Sequence, residues 1–142
     1  MRHVLVSSIF ILLLVGCNQT GVSTFVDNPE KPYPSEEAIE NGDVVVNLDG
    51  ETVHFDRFES FVKSVRNGKE DEVRVTKYTI EGDPIFYNLQ FNGEKIMYTL
   101  DNTEDGYAGS GKGQRTTSCS GLRFSETEKG ERYGLEGVRI RN

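Results

Sequence analysis

The stretch from Val73 to Leu100 constrains the fold most, because it alternates in polarity and is cut twice by turn chemistry. Val73-Arg74-Val75-Thr76-Lys77-Tyr78-Thr79-Ile80 reads as a strand, with β-branched and aromatic residues at the period that sends neighbours to opposite faces. Glu81-Gly82-Asp83-Pro84 then supplies a glycine free to take positive φ, an aspartate that can bond its own backbone, and a proline with fixed φ. Ile85 to Phe91 is the next strand. Asn92-Gly93 is a strong hairpin signal, since a type I′ turn needs positive φ at both central residues. Lys95-Ile96-Met97-Tyr98-Thr99-Leu100 returns. The three strands make an antiparallel meander.

The rest of the chain fits around that meander. Val44-Val45-Val46-Asn47-Leu48 is a β-branched run between Asn41-Gly42 and Asp49-Gly50, so it reads as a first strand. From His54 to Arg66 the period changes. Phe55, Phe58, Phe61, Val62 and Val65 share one helical face, charged residues occupy the other, and Asn67-Gly68 is a C-terminal cap. Asp101 to Gly113 is a polar, glycine-rich loop. Strands around Arg115 to Phe124 and Arg132 to Ile140 follow, with Glu128-Lys129-Gly130 between them. The expected class is α+β: a mostly antiparallel sheet of about six strands, with one amphipathic helix packed on one face. A small barrel or sandwich with a covering helix is the alternative.

The N-terminal residues carry an address. Met1-Arg2-His3 is a positive start, Val4 to Val15 an almost unbroken apolar run, and Leu14-Val15-Gly16-Cys17 closes it. The run is about half the ~20 residues that span a bilayer, which favours a signal segment over a transmembrane helix. The closing tetrapeptide resembles the lipobox of bacterial lipoproteins. That resemblance implies cleavage before Cys17, a diacylglycerol thioether on its sulfur, and a protein held on the outer face of the cytoplasmic membrane. The expected division is a signal peptide over 1–16, a disordered acidic and proline-rich tether over 17–42, and one α+β domain over 43–142. In the tether Asp27, Glu30, Glu36, Glu37 and Glu40 oppose Lys31 alone, and Pro29, Pro32 and Pro34 keep it extended. A short helical turn over Ser35–Glu40, capped by Ser35, would be a minor embellishment on it.

The formal charge of −7 becomes −8 once Arg2 leaves with the signal. Such a chain lacks the basic clusters that nucleic acid or an anionic lipid surface rewards. Attachment then falls to the lipid, at about 0.8 kcal/mol per buried methylene. With Cys17 lipidated, Cys119 has no disulfide partner within the mature chain; it reads as a small buried hydrophobe, with a thiol nucleophile or an intermolecular disulfide as the alternatives.

Tyr78-Thr79-Ile80-Glu81-Gly82-Asp83-Pro84-Ile85, then a strand and the Asn92-Gly93 hairpin leading to Tyr98-Thr99-Leu100-Asp101, resembles a family of small Gram-positive lipoproteins classed as a domain of unknown function. The resemblance spans residues 42–135. It implies a second cysteine near the C-terminus as a partner for the position of Cys119, where this chain has Val138. It brings no catalytic residues, substrate or cofactor.

Other motifs are incomplete. Asp101-x-Thr103-x-Asp105-Gly106 imitates half a calcium loop, but Lys112 stands where a bidentate glutamate is needed. Gly106-x-x-x-x-Gly111-Lys112-Gly113 nearly spells a phosphate loop, with Gly113 in place of the magnesium-binding hydroxyl. His54 is the only histidine after the signal, so it is the only base available to Cys119, and the pair falls short of a zinc set. No metal or cofactor is expected. Glu81 and Asp83 read as turn formers, and a hydrolytic role for them is the weaker alternative. Alternation sends the meander's aromatics to both faces; Tyr78, Glu81, Asp83 and Tyr98 are the candidate binding surface, if the face away from the helix is solvent-exposed. The expectation is a binding or accessory module for a protein or cell-envelope component; a small hydrolase or thiol-dependent enzyme is the competing class.

Overall fold

The computed structural model describes residues 33–128 and 130–137. The signal segment, Cys17, the tether up to residue 32 and Val138 lie outside the described residues. The protein is α+β. Six strands form the main sheet in the order β2-β1-β3-β4-β5-β6: β1 Val44–Val46, β2 Thr52–Val53, β3 Asp71–Tyr78, β4 Pro84–Phe91, β5 Ile96–Asp101 and β6 Gln114–Cys119. Two more, β7 Gly121–Thr127 and β8 Gly130–Glu136, form a separate hairpin. Helix α1 covers Ser35–Glu40 and α2 Phe55–Arg66.

Helix α2 forms where the apolar period is 3.6, and its end is a Schellman cap. Gly68 takes φ 65°, its amide donates to the Val65 carbonyl at 3.2 Å, and Lys69 donates to Ser64 at 2.9 Å. Its start is strained. His54 is the only non-glycine residue at positive φ among those described, at 57°. Its Nδ1 lies 3.1 Å from the Asp43 carbonyl oxygen. Arg57 clamps the helix to β3, donating through both terminal nitrogens to Asp71, the closer contact at 2.7 Å, and also to the Glu72 carbonyl.

Register decides the two faces, because directly opposed residues point the same way. Val73 opposes Leu89, Leu89 opposes Tyr98, Phe91 opposes Ile96, and Ile96 opposes Cys119. These belong to the face under α2, where Phe61, Val73, Ile96 and Cys119 are almost wholly buried. The β7–β8 hairpin joins that side through Leu122 and Leu135, and Tyr133 meets the Phe58 ring edge-on at 5.1 Å. The other face carries Val45, Tyr78 and Phe86, which form a second core with Tyr33 and Ala38, and the buried Thr76.

Four expectations are corrected. The folded part begins by Tyr33, not near Asp43: Tyr33 is 8% exposed and Ala38 fully buried, so the end of the expected tether is a strap packed on the sheet. Helix α1 starts after Pro34, and Ser35 donates to Glu36 instead of capping. β1 runs parallel to β3, with α2 in the connection, and only the remaining pairs are antiparallel. The strand expected from Arg115 to Phe124 breaks at Ser120, whose amide donates to the Glu136 carbonyl at 2.8 Å. Gly137 permits this closure, since a Cβ there would lie 2.5 Å from the Ser120 hydroxyl oxygen.

The Asn92-Gly93 turn differs in type. Only Gly93 has positive φ, at 91°, while the Asn92 side chain accepts the amides of Glu94 and Lys95. It is an Asx-type turn, an arrangement that asparagine stabilises locally.

Candidate functional site

The parallel pairing of β1 and β3 brings their C-terminal turns side by side. Asn47, Leu48 and Asp49 come from the turn after β1; Tyr78, Thr79 and Gly82 come from the end of β3 and its turn. The start of the strap, Pro34 to Glu36, completes an open cleft of about 560 Å³. The cleft lies beyond the carboxyl ends of this one parallel pair.

The turns are built without using their largest apolar side chains. Thr79 donates its amide to the Asp83 carbonyl and accepts from the Gly82 amide, while its hydroxyl accepts the Asp83 amide at 3.1 Å. Asp83 Oδ2 reaches across to the Gly106 amide at 2.9 Å, tying this turn to the 102–113 loop. In the other turn Asp49 Oδ1 accepts the Glu51 amide at 3.0 Å. Leu48 and Ile80 have no place in these networks. They are 63% and 87% exposed.

The strap wall is pinned at Tyr33. Its carbonyl accepts the Tyr78 hydroxyl at 2.9 Å, its amide donates to Glu104 at 3.3 Å, and its own hydroxyl accepts from Asn41 at 3.0 Å. The ring stands edge-on to Phe86, with centroids 5.4 Å apart. Burial raises the pKa of Tyr78 well above the ordinary tyrosine range, and Tyr33, Asp43, Glu36 and Glu104 add to the rise. Tyr33 is raised as well, chiefly by burial. Beneath them the Thr76 hydroxyl donates to Asp43 at 2.6 Å.

The four residues of the sequence-derived surface separate. Tyr78 lies in the cleft wall with its hydroxyl engaged, Glu81 is exposed on the adjoining turn, and Asp83 is a loop anchor. Tyr98 belongs to the opposite face, where it stacks on Tyr87 with centroids 6.4 Å apart, and burial raises its pKa. Sequence reasoning missed Leu48, Asp49 and Glu36. Asp49-Gly50 marked the turn, but nothing in the sequence showed which turn would lie beside it.

The other motifs have structural uses. Asp101 accepts the Thr103 amide and hydroxyl, and Asp105 accepts the Tyr107 amide, so the calcium-like loop spends these oxygens on its own turns. Among the described residues no three His, Cys, Asp or Glu side chains converge as a metal site. Strand β6, not a helix, follows Lys112. Cys119 is buried, and that burial pushes its thiol pKa up. Four strand spacings separate β6 from β1, next to His54, on the order of 19 Å at the usual spacing. A base must lie within hydrogen-bond reach of its nucleophile. A second hollow, of about 190 Å³, lies where β1 and β3 begin and includes Arg57 and Arg74. Both cations are engaged, Arg57 with Asp71 and Arg74 with Asn88 at 2.8 Å.

The fold is thus an α+β sheet with a strapped face and a cleft at its loop end. The chain belongs to the family described as Domain of unknown function (DUF4362), whose model matches residues 41–134. Searches of curated proteins and of solved structures each gave no match.

Proposed function

We propose that this chain is a lipid-anchored binding module of the bacterial cell envelope. In this reading Cys17 carries a diacylglycerol, the domain stands on the outer face of the cytoplasmic membrane, and the loop-end cleft docks a protein or another envelope component. The observation that carries the reading is where the chain enters the fold. Pro34, Ser35 and Glu36 line the cleft and continue directly into the segment that leads back to Cys17. The residues between Cys17 and Tyr33 span at most about 55 Å, however extended they are. An anchor on Cys17 therefore keeps the cleft within that reach of the membrane surface.

A thiol enzyme or hydrolase has less to rest on. Cys119 is buried with a raised pKa, and Asp83 is committed to Gly106. A nucleophilic thiol needs access and a lowered pKa.

Two measurements test the proposal. Mass spectrometry of the membrane-bound protein should find a diacylglycerol-modified Cys17 as the N-terminus; an unmodified chain starting at Met1 refutes the anchor. A photo-crosslinking residue at Leu48 should capture one recurrent envelope component, whereas the same probe at exposed Phe124 on β7 should not. Equal capture from both positions refutes the cleft as the docking site.

A further inference from the structure

Resting on that reading of the cleft, we infer that its occupant is a basic polypeptide segment that presents a large apolar side chain between lysines or arginines. The apolar part of the argument is the pairing of Leu48 and Ile80. Isolated exposed apolar residues are ordinary on protein surfaces. These two stand on adjacent turns, because Val46 opposes Lys77 in the parallel β1–β3 pair and each turn follows directly. Neither side chain is required by the hydrogen bonds that close its turn, so a polar residue would serve the fold equally well.

The electrostatic part is independent. Glu36 and Asp49 line the cleft, Glu81 stands on the same turn as Ile80, and none of the described lining residues is Lys or Arg. Glu36 accepts only the Ser35 hydroxyl and Asp49 only the Glu51 amide, so neither carboxylate is neutralised by an ion pair among the described residues. The tyrosine in the wall registers this negative field: after burial, acidic groups that include Glu36 and Glu104 contribute to raising Tyr78. Anionic lipid headgroups are repelled by such a rim, and an acidic peptide likewise. A cationic segment gains from the carboxylates, and an apolar side chain between its charges gains from Leu48 in the cleft lining, with Ile80 exposed on the adjoining turn outside that lining. The carboxylates are exposed, so water moderates the attraction and salt weakens it further.

The test uses the lipid-anchored full-length mature protein in zwitterionic nanodiscs, with fluorescein-labelled Lys-Lys-Leu-Lys-Lys as the probe. Anisotropy should show binding at least about tenfold tighter than for Glu-Glu-Leu-Glu-Glu or Lys-Lys-Ser-Lys-Lys, the apolar contact alone being worth a factor of this order. Raising salt to about 0.5 M should weaken binding severalfold. Glu36→Gln and Asp49→Asn keep the local acceptors and should each weaken binding about two- to fivefold, as exposed ion pairs do. Leu48→Ser should remove the preference for the apolar peptide while leaving the melting temperature unchanged. Equal binding of the acidic peptide overturns the inference, and so does binding unaffected by Leu48→Ser. Nuclear Overhauser contacts from Leu48 to residues 18–32 of the same chain overturn it too, by making the tether the occupant. Should the peptide fail while crosslinking at Leu48 still captures one component, the basic-segment inference falls and the cleft reading stands.

Discussion

The two faces of the central sheet are covered by different physics. Under α2 the core is apolar and bulky: Phe61 and Ile96 are fully buried, and Val73, Leu89 and Phe91 nearly so. Opposite them, under the strap, the second core mixes Val45 and Phe86 with Thr76, Asp43, Tyr33 and Tyr78, and its polar atoms are hydrogen-bonded to one another. The first face is held by volume, the second by a closed polar network around a six-residue helix. So short a helix has little stability of its own and depends on the contacts beneath it. The strap face is therefore the natural place for local opening, and the cleft is partly built from it.

The largest expected effect lies on the helix face. Phe61→Ala removes a fully buried ring beneath α2 and should cost about 3 to 5 kcal/mol in chemical denaturation, with cavity and transfer contributions adding. Amide exchange should accelerate across β3, β4 and β5 together. A loss confined to α2 would mean that the helix is dispensable to the sheet, and the contrast between the faces would be wrong.

Next comes the strap. Tyr78→Phe keeps the ring but leaves the Tyr33 carbonyl without its donor, at a cost of about 1 to 3 kcal/mol for an unsatisfied buried group. The signature is spatial: faster exchange over residues 33–41, with β3 to β5 still protected. Uniform acceleration over the whole sheet would show that the two cores melt as one unit. That outcome would also deprive the cleft of an independently mobile wall.

The same contrast explains what could be read in the sequence. The helix face follows from periodicity: Phe58, Phe61, Val62 and Val65 announce α2, Asn67-Gly68 ends it, and alternation over Val73 to Leu100 gives the three central strands. The strap face depends on contacts between residues far apart. Tyr33 is separated from Tyr78 by 45 positions and from Glu104 by 71, and it sits in a proline-rich acidic stretch whose composition signals solvated chain. Parallel pairing of β1 with β3 escaped for the same reason, since it is set by how α2 folds back and not by either strand's own residues. In the site, the Tyr78 to Pro84 turn was legible and Tyr98 was wrongly grouped with it: face parity can be read within a strand, but between strands it needs the register.

The smallest expected effect sharpens the comparison by testing the ion pair that locks α2 to the start of β3. Asp71 is partly buried, which by itself raises its pKa, yet hydrogen bonds from Arg57, Ser64 and the Glu72 amide, with the Arg57 charge, bring it below the ordinary value of 3.8. A carboxyl depressed on folding stabilises the folded state above its unfolded pKa. That stabilisation is lost as pH falls through the folded value, below the ordinary 3.8. Asp71→Asn keeps an acceptor for Glu72 and loses the charge, so it should cost about 1 kcal/mol or less at neutral pH, because both partners are partly exposed. The difference from the parent protein should shrink as pH falls through the folded value, where the parent carboxyl itself becomes protonated. A difference that stayed constant with pH would assign Asp71 a purely steric role. Asp71 pairs with Arg57 of α2, so exchange over residues 33–41 should be indifferent to this substitution, and a response there would couple the two faces through β3.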